Sequence, residues 1–310
     1  MSLAMVFPGQ GSQSVGMQAD IADAFPIVAE TYAEASSVLG YDLWALVQNG
    51  SAEELGETTV TQPAMLTAGT AAYRVWQASG GPTPAQLAGH SLGEYSALVA
   101  ANAIGFADAM KLVIRRSQLM SDAVPKGVGG MVAVLGLDDA AVIKACDEAS
   151  LVGIAEPVNF NTPGQVVIAG HHKALDRAIV ILEEAGARRA VKLPVSIPTH
   201  SSLMIAAGKT LKDDLDNADF KQPELTVIAA SDAKPYGDAD DIRARLSQQV
   251  FGPVQWVKTV TAMIEDGATS IVECGPGKVL AGLCRRIDKK TPVTFIDSLD
   301  SLTKALQAQQ

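Results

Sequence analysis

The chain has 310 residues, 48% hydrophobic and 19% charged, which is enough apolar surface for a full core and too little charge for a disordered chain. Its net charge of −10 argues against the broadly basic face that nucleic acid or an anionic membrane requires, leaving room only for a local basic patch. Cys146, Cys274 and Cys284 include no CxxC pair, so neither a disulfide framework nor a zinc site is indicated, and reduced thiols in a cytoplasmic protein are expected.

In chain order, the apolar run AMVFPG (4–9), stopped by Pro-Gly, reads as a buried parallel strand. The opening MSLAMVFPGQ lacks the charged region and long apolar run of a signal peptide, and no stretch approaches the ~20 apolar residues of a membrane helix. Helical patterns cover 17–39 and 62–79, AQLAGHS reads as a strand, LGEYSALVAANA as a helix, and 105–123 as a further helix ending at the Pro/Gly break AVPKGVGG. The rhythm then changes. GMVAVLG, DDAAVIKACDEA, PVNFN, QVVIAG, HHKALDRAIVILEEAG and RRAVKLPV run β-α-β-β-α-β, the split βαβ pattern of a ferredoxin-like unit. The main alternation resumes with a helix near 200–217, the strand LTVIAAS, a helix near 239–249, and SIVECG, GKVLAGLCRRI and VTFIDS as strand, helix and strand. The expected architecture is a large α/β-hydrolase-like domain with a parallel sheet, from 1–125 and 197–310, carrying an inserted ferredoxin-like subdomain from 126–196.

The stretch GHSLGEYS places Ser91 in Gly89-x-Ser91-x-Gly93 at a strand-to-helix junction, the pattern of a nucleophile elbow. The glycines permit a sharp turn that lifts the hydroxyl into a cleft, and backbone N–H groups at the helix start can stabilise negative charge. The same pattern also suits a plain tight turn, so its partners must decide. A serine needs a base, and four histidines are available. His90 reads as a structural residue of the turn, and His171 and His172 open a helix with no further metal ligands after them. His200, where the insertion returns to the main domain, is the best general-base candidate. No carboxylate stands in a recognisable triad position; Asp213 and Asp214 follow the histidine rather than preceding it.

The loop FPGQGSQSVGM (7–17) fails as a phosphate loop because the third glycine and the Gly-Lys-Ser/Thr are missing, and GPGKV (275–279) has valine where a hydroxyl belongs. The first loop follows the first strand of the same sheet, so it reads either as a flexible turn or as the other half of an oxyanion hole. Arg115 and Arg116 lie near the end of an apolar helix. They point about 100° apart, so one at most enters a cleft, where its planar fork would suit a carboxylate.

Together, FPGQGSQ, TQPA, GHSLGEYSALV, PVNFNTPGQVVIAG, PTH and ECGPGKVL resemble, in order and over nearly the whole chain, the malonyl-CoA:acyl carrier protein transacylase family of bacterial type II fatty-acid synthesis. The resemblance implies Ser91 as nucleophile, His200 as base, and the backbone carbonyl of Gln249 as the group that orients the histidine in place of an acid. It implies an oxyanion hole from the backbone N–H groups of Gln10 and Leu92, Arg116 as the anchor for the malonyl carboxylate with Arg115 solvated, and Gln62 and Asn159 as polar lining. Thr199 departs from the serine that bacterial relatives often carry before the histidine.

The implied reaction moves malonyl from malonyl-CoA to the phosphopantetheine thiol of acyl carrier protein through a malonyl-serine, with no metal or redox cofactor of the enzyme's own. The rival readings are a serine thioesterase or esterase, a silent carrier-binding subunit, and the same chemistry serving malonate decarboxylation or a polyketide carrier. A monomer is expected, with malonyl-CoA and acyl carrier protein as partners and no nucleic acid. Because carrier proteins are acidic, Arg188, Arg189, Arg285, Arg286 and Lys289 are the expected docking surface, against the alternative that they are scattered solvated charges.

Overall fold

The computed structural model describes residues 2–195 and 197–309. Met1 and Gln310, at the expected outer limits of the large domain, and Ser196, the expected last residue of the insertion, lie outside the described residues.

Strand β1 (Leu3–Phe7) is buried at every position, as the apolar run requires of a strand covered on both faces. Five helices follow: α1 (Ala19–Ala24), α2 (Pro26–Leu39), α3 (Leu43–Asn49), α4 (Ala52–Gly56) and α5 (Thr58–Ala78). The single helix expected over 17–39 is therefore two. Pro26 has no N–H to donate and holds Phe25 extended at φ −130°, ending α1 and starting α2. The short helices α3 and α4 escaped the periodicity reading, although each has a capping side chain, Asp42 accepting from Ala45 N and Ser51 from Glu54 N. Strand β2 (Gln86–Gly89) and helices α6 (Gly93–Ala100) and α7 (Phe106–Asp122) fall where the sequence placed them.

Next come β3 (Gly129–Leu135), α8 (Asp139–Ala149), β4 (Ala155–Thr162), β5 (Gln165–His171), α9 (His172–Glu184) and β6 (Arg189–Lys192). The chain then forms α10 (Ile205–Asp216), β7 (Thr226–Ile228), α11 (Ala239–Gln249), α12 (Trp256–Glu265), β8 (Ser270–Cys274), α13 (Val279–Ile287), β9 (Val293–Ile296) and α14 (Leu299–Gln307). Helices α12 and α14 were not anticipated. The first buries Trp256, Thr259, Val260 and Met263, a helical spacing present in the sequence, and the second starts at a Ser298/Ser301 capping box.

Two sheets result. One has the order β7-β2-β1-β8-β9 with every neighbouring pair parallel. The other has the order β4-β5-β3-β6 with every pair antiparallel, the arrangement of a split βαβ unit, and α8 and α9 pack on it over an apolar core. The sheets are tied through the approach to α12: Val254 N donates to Val158 O at 2.8 Å and Phe160 N to Val254 O at 2.9 Å. This stitch fixes β4 beside the carboxyl ends of β1 and β2, where open parallel sheets place their ligands. Among the described residues no helix is long and apolar enough to cross a membrane.

Candidate active site

Ser91 sits between the end of β2 and the start of α6 with φ +53°, a left-handed conformation that a non-glycine residue holds only when its surroundings enforce it. The flanking glycines are what enforce it. A Cβ on Gly89 would lie 2.0 Å from the Gly93 carbonyl carbon, and one on Gly93 would lie 2.0 Å from the Phe7 carbonyl oxygen. The turn is therefore closed against both its own helix and the neighbouring strand, and the Ser91 hydroxyl is the group it presents.

His200 is the histidine that reaches Ser91. Its Nε2 is 2.7 Å from Ser91 Oγ and its Nδ1 is 2.7 Å from the Gln249 backbone oxygen. Since a carbonyl only accepts, Nδ1 carries the hydrogen and Nε2 is left as the acceptor facing Ser91. No carboxylate enters this chain of contacts; Asp214 pairs instead with the exposed Arg115 at 3.3 Å. Burial, then the Arg116 charge, lowers the His200 pKa to about 3, so the imidazole is neutral across ordinary pH.

Arg116, 1% exposed on α7, reaches the same point. Its Nη2 donates to Ser91 Oγ at 3.2 Å and to Gln249 Oε1 at 2.9 Å, and its Nη1 to Gln62 Oε1 at 2.6 Å. Gln62 lies on α5, so the tight packing of α5 on α7 is what aims the guanidinium. Of the adjacent arginine pair, one enters the cleft and one stays in solvent, as the helical geometry required.

Beneath the serine is a layer that sequence reasoning missed. Glu94, fully buried on α6, accepts from Gln249 Nε2 at 2.6 Å and from the Tyr236 hydroxyl. Burial raises its pKa to about 7, partly offset by those two hydrogen bonds. The available signal was a single charged residue in the stretch GEYSALVAANA. Tyr236, in the turn after β7, had none.

A cleft of about 590 Å³, including its open mouth, is lined by Gln10, Gln62, Leu92, Arg116, Asn159, Met120 and Met131, together with Ser91, Thr199 and His200. The backbone N–H groups of Gln10 and Leu92 donate to no protein acceptor among the described residues. Gly9, beside Gln10, packs against the elbow so closely that a Cβ there would meet the His90 carbonyl oxygen at 2.5 Å. The Asn159 Oδ1 is buried without a partner among the described residues. Thr199 donates to the Met131 sulfur at 3.2 Å, so its side chain touches a wall of the pocket. A wider groove of about 1640 Å³, open solvent included, shares Gln10, Leu193 and Val195 with the cleft and continues outward past Lys126.

His90, which also borders the cleft, meets Asn161 Oδ1 at 2.9 Å and sits 5.4 Å from the Trp256 ring at a 58° tilt, the contacts of a residue that braces the turn, and burial lowers its pKa. His171 accepts from Ile154 N at 3.0 Å at the start of α9. In the loop at 275–278, Gly275 lies against Pro8 and Gly277 against Ser12, bracing the first loop. The basic residues divide. Gln165, Leu135 and Arg189 form one row across adjacent strands, and Arg286 donates to Gln165 at 3.0 Å, so exposed Arg188, Arg189 and Arg286 share a rim. Arg285 turns back to the Val293 carbonyl at 2.6 Å, while Lys289 is exposed after α13.

The family described as acyl transferase domain matches residues 4–305. A malonyl CoA-acyl carrier protein transacylase of Escherichia coli strain K12 is 52% identical over 98% of this chain and 98% of its own, and the Bacillus subtilis enzyme of that name is 39% identical over 98% and 96%. The solved structure of the transacylase from Coxiella burnetii superposes with a TM-score of 0.98 at 44% identity, covering 100% of this chain and 98% of that one. A malonyl-transacylase solved in complex with a type II polyketide synthase acyl-carrier protein matches with a TM-score of 0.98 at 49% identity, covering 99% and 100%.

Proposed function

The chain belongs to the acyl transferase family, as a malonyl-CoA:acyl carrier protein transacylase, and from that premise we propose which residues carry its reaction. It is an acyl carrier protein S-malonyltransferase with malonyl-CoA and acyl carrier protein as its partners.

Malonyl-CoA places its free carboxylate on Arg116 and its thioester carbonyl beside Ser91. Ser91 Oγ attacks the carbonyl carbon as His200 Nε2 takes the hydroxyl proton, and the Gln10 and Leu92 amides receive the oxyanion, each worth roughly 3 kcal/mol. The C–S bond then breaks, and the proton on His200 passes to sulfur, releasing coenzyme A as a thiol and leaving malonyl-Ser91. The phosphopantetheine thiol of the carrier enters by the same route, and His200 takes its proton. Thiolate attack and collapse return that proton to Ser91, leaving malonyl on the carrier. A substrate carboxylate on Arg116 also offsets the charge that, after burial, depresses His200 most, so binding strengthens the base at the moment it is needed.

The observation that carries this reading is the single cluster Ser91, His200 and Arg116, with the histidine oriented by the Gln249 carbonyl rather than an acid. Gln62 holds Arg116, Asn159 faces the acyl group with its unpaired oxygen, and no metal or redox cofactor takes part. Arg188, Arg189 and Arg286, with Lys289 and Arg285 behind them, receive the acidic carrier. The protein acts as a monomer in the cytoplasm, in fatty-acid synthesis, in keeping with three buried free thiols. A carrier-selectivity assay against a polyketide carrier tests the pathway.

Intact-mass measurement after mixing with malonyl-CoA tests the chemistry. A malonyl adduct on the native chain that is absent in Ser91→Ala is expected. An adduct persisting in the variant would overturn Ser91 as nucleophile, and rapid loss of the adduct to water in the presence of carrier would favour a hydrolase.

A further inference from the structure

We propose that Glu94 is the internal counter-anion of Arg116, holding the guanidinium ready for a substrate carboxylate through the side-chain amide of Gln249 and without occupying the face the carboxylate takes. This makes Glu94 a positioning residue for acyl selectivity, and it rests on the assignment of Arg116 to the malonyl carboxylate.

The argument starts from the charge balance of a buried cation. Arg116 is almost wholly buried, yet its three hydrogen-bond acceptors, Gln62 Oε1, Gln249 Oε1 and Ser91 Oγ, are all neutral. Its Nε has no partner among the described residues. A guanidinium so placed carries a desolvation cost that neutral oxygens offset only in part. The Tyr95 ring, 5.8 Å away, contributes, and so does the Glu94 carboxylate.

Glu94 reaches Arg116 through one residue. Gln249 Nε2 donates to Glu94 Oε2 at 2.6 Å and to the Ser91 carbonyl at 2.9 Å, and Gln249 Oε1 accepts from Arg116 Nη2 at 2.9 Å. An ionised carboxylate can only accept, so it forces the amide nitrogen toward itself and leaves the amide oxygen for Arg116. Flipping that amide would set NH₂ against a guanidinium and oxygen against a carboxylate. The same residue's backbone oxygen holds His200, so one anchored glutamine sets both the base and the anchor.

The amide spacer has a functional consequence. A carboxylate directly on Arg116 would form the two-pronged pair that the incoming malonyl group must form, and would compete with it. At one remove, it stabilises the cation without placing a charged competitor on the guanidinium, whose contacts are all neutral. The groups facing Glu94 are Tyr236 from the turn after β7, Gln249 at the end of α11, Tyr95 beside it on α6 and Arg116 from α7, with Arg245 packed on the Tyr236 ring at 5.3 Å.

The test compares malonyl-CoA with acetyl-CoA, which lacks the carboxylate, as acyl donors to Ser91. In Glu94→Gln, kcat/KM for malonyl loading should fall about tenfold while acetyl loading changes little, the size expected of one weakened charge-assisted contact. Since His200 is neutral throughout, malonyl loading by the native enzyme should also rise with pH through about 7 as Glu94 ionises, a limb absent for acetyl and lost in Glu94→Gln. If Glu94→Gln folds poorly, Tyr236→Phe serves instead: it removes a hydrogen bond that lowers the carboxyl pKa and should move the limb upward. Equal losses for both acyl groups, or an unchanged malonyl-to-acetyl ratio and pH profile, would overturn the proposal. Arg116→Ala run alongside separates the two ideas. If it leaves the ratio intact, the carboxylate anchor itself is wrong; if it abolishes the preference and Glu94→Gln does not touch it, only the role of Glu94 falls.

Discussion

The core beneath the antiparallel sheet is built from Val132, Val134, Val142, Leu175 and Leu182, side chains with no polar atom among them. Around the β2–α6 junction the buried side chains include Glu94, Arg116, His200 and Gln249, and both Ser91 and His200 hold positive φ. The first region is what hydrophobic burial produces when stability is the only demand. The second keeps polar groups out of water and a strained backbone in place, both of which cost stability and persist because the surrounding contacts over-determine them. The antiparallel sheet and its adjoining segment accordingly give the cleft mostly walls, Met131, Asn159, Leu193 and Val195, while the elements around the parallel sheet give it Ser91, Arg116 and His200.

The sharpest way to break this contrast is at Gly89. Gly89→Ala drives a Cβ into backbone at 2.0 Å, with no flexible side chain to yield, and should abolish Ser91 acylation and lower the melting temperature together. A folded, active Gly89→Ala would mean the elbow is not held by close packing. Leu175→Ala, in the apolar core, should cost about 2–5 kcal/mol in denaturant unfolding yet leave kcat/KM of the folded fraction unchanged. A comparable loss of acylation would show that the antiparallel unit does more than form walls. The smallest effect is expected at the rim: Arg189→Glu with Arg286→Glu should raise KM for carrier protein at low salt, by about 1 kcal/mol per charge, and spare loading from malonyl-CoA. Unchanged transfer would return these residues to scattered surface charge.

Much of the fold was legible because its signals are local. The β-α-β-β-α-β rhythm identified the second sheet, and Gly89-x-Ser91-x-Gly93 at a strand end identified the elbow. What escaped were α3 and α4, too short for a periodic stripe to show, α12, although its spacing is helical, and α14, which opens on a capping box. At the site, Ser91 and a single histidine outside the turn and the α9 start could be picked from residue type alone. Gln249 could not: it contributes a backbone oxygen, which no side-chain pattern announces, and only resemblance pointed to it.

The sequence by itself therefore determined the alternation of elements and the elbow, since each depends on residues within a turn or two of one another, and it offered Ser91 and His200 as candidates by residue type. Which of Arg115 and Arg116 faces the serine, that a carbonyl rather than Asp214 orients His200, and that Glu94 and Tyr236 meet 142 residues apart in the chain, were decided only by tertiary structure. Those choices depend on how α5, α7 and α11 pack around α6, and the direction a buried polar group takes is set by the acceptors that packing leaves for it.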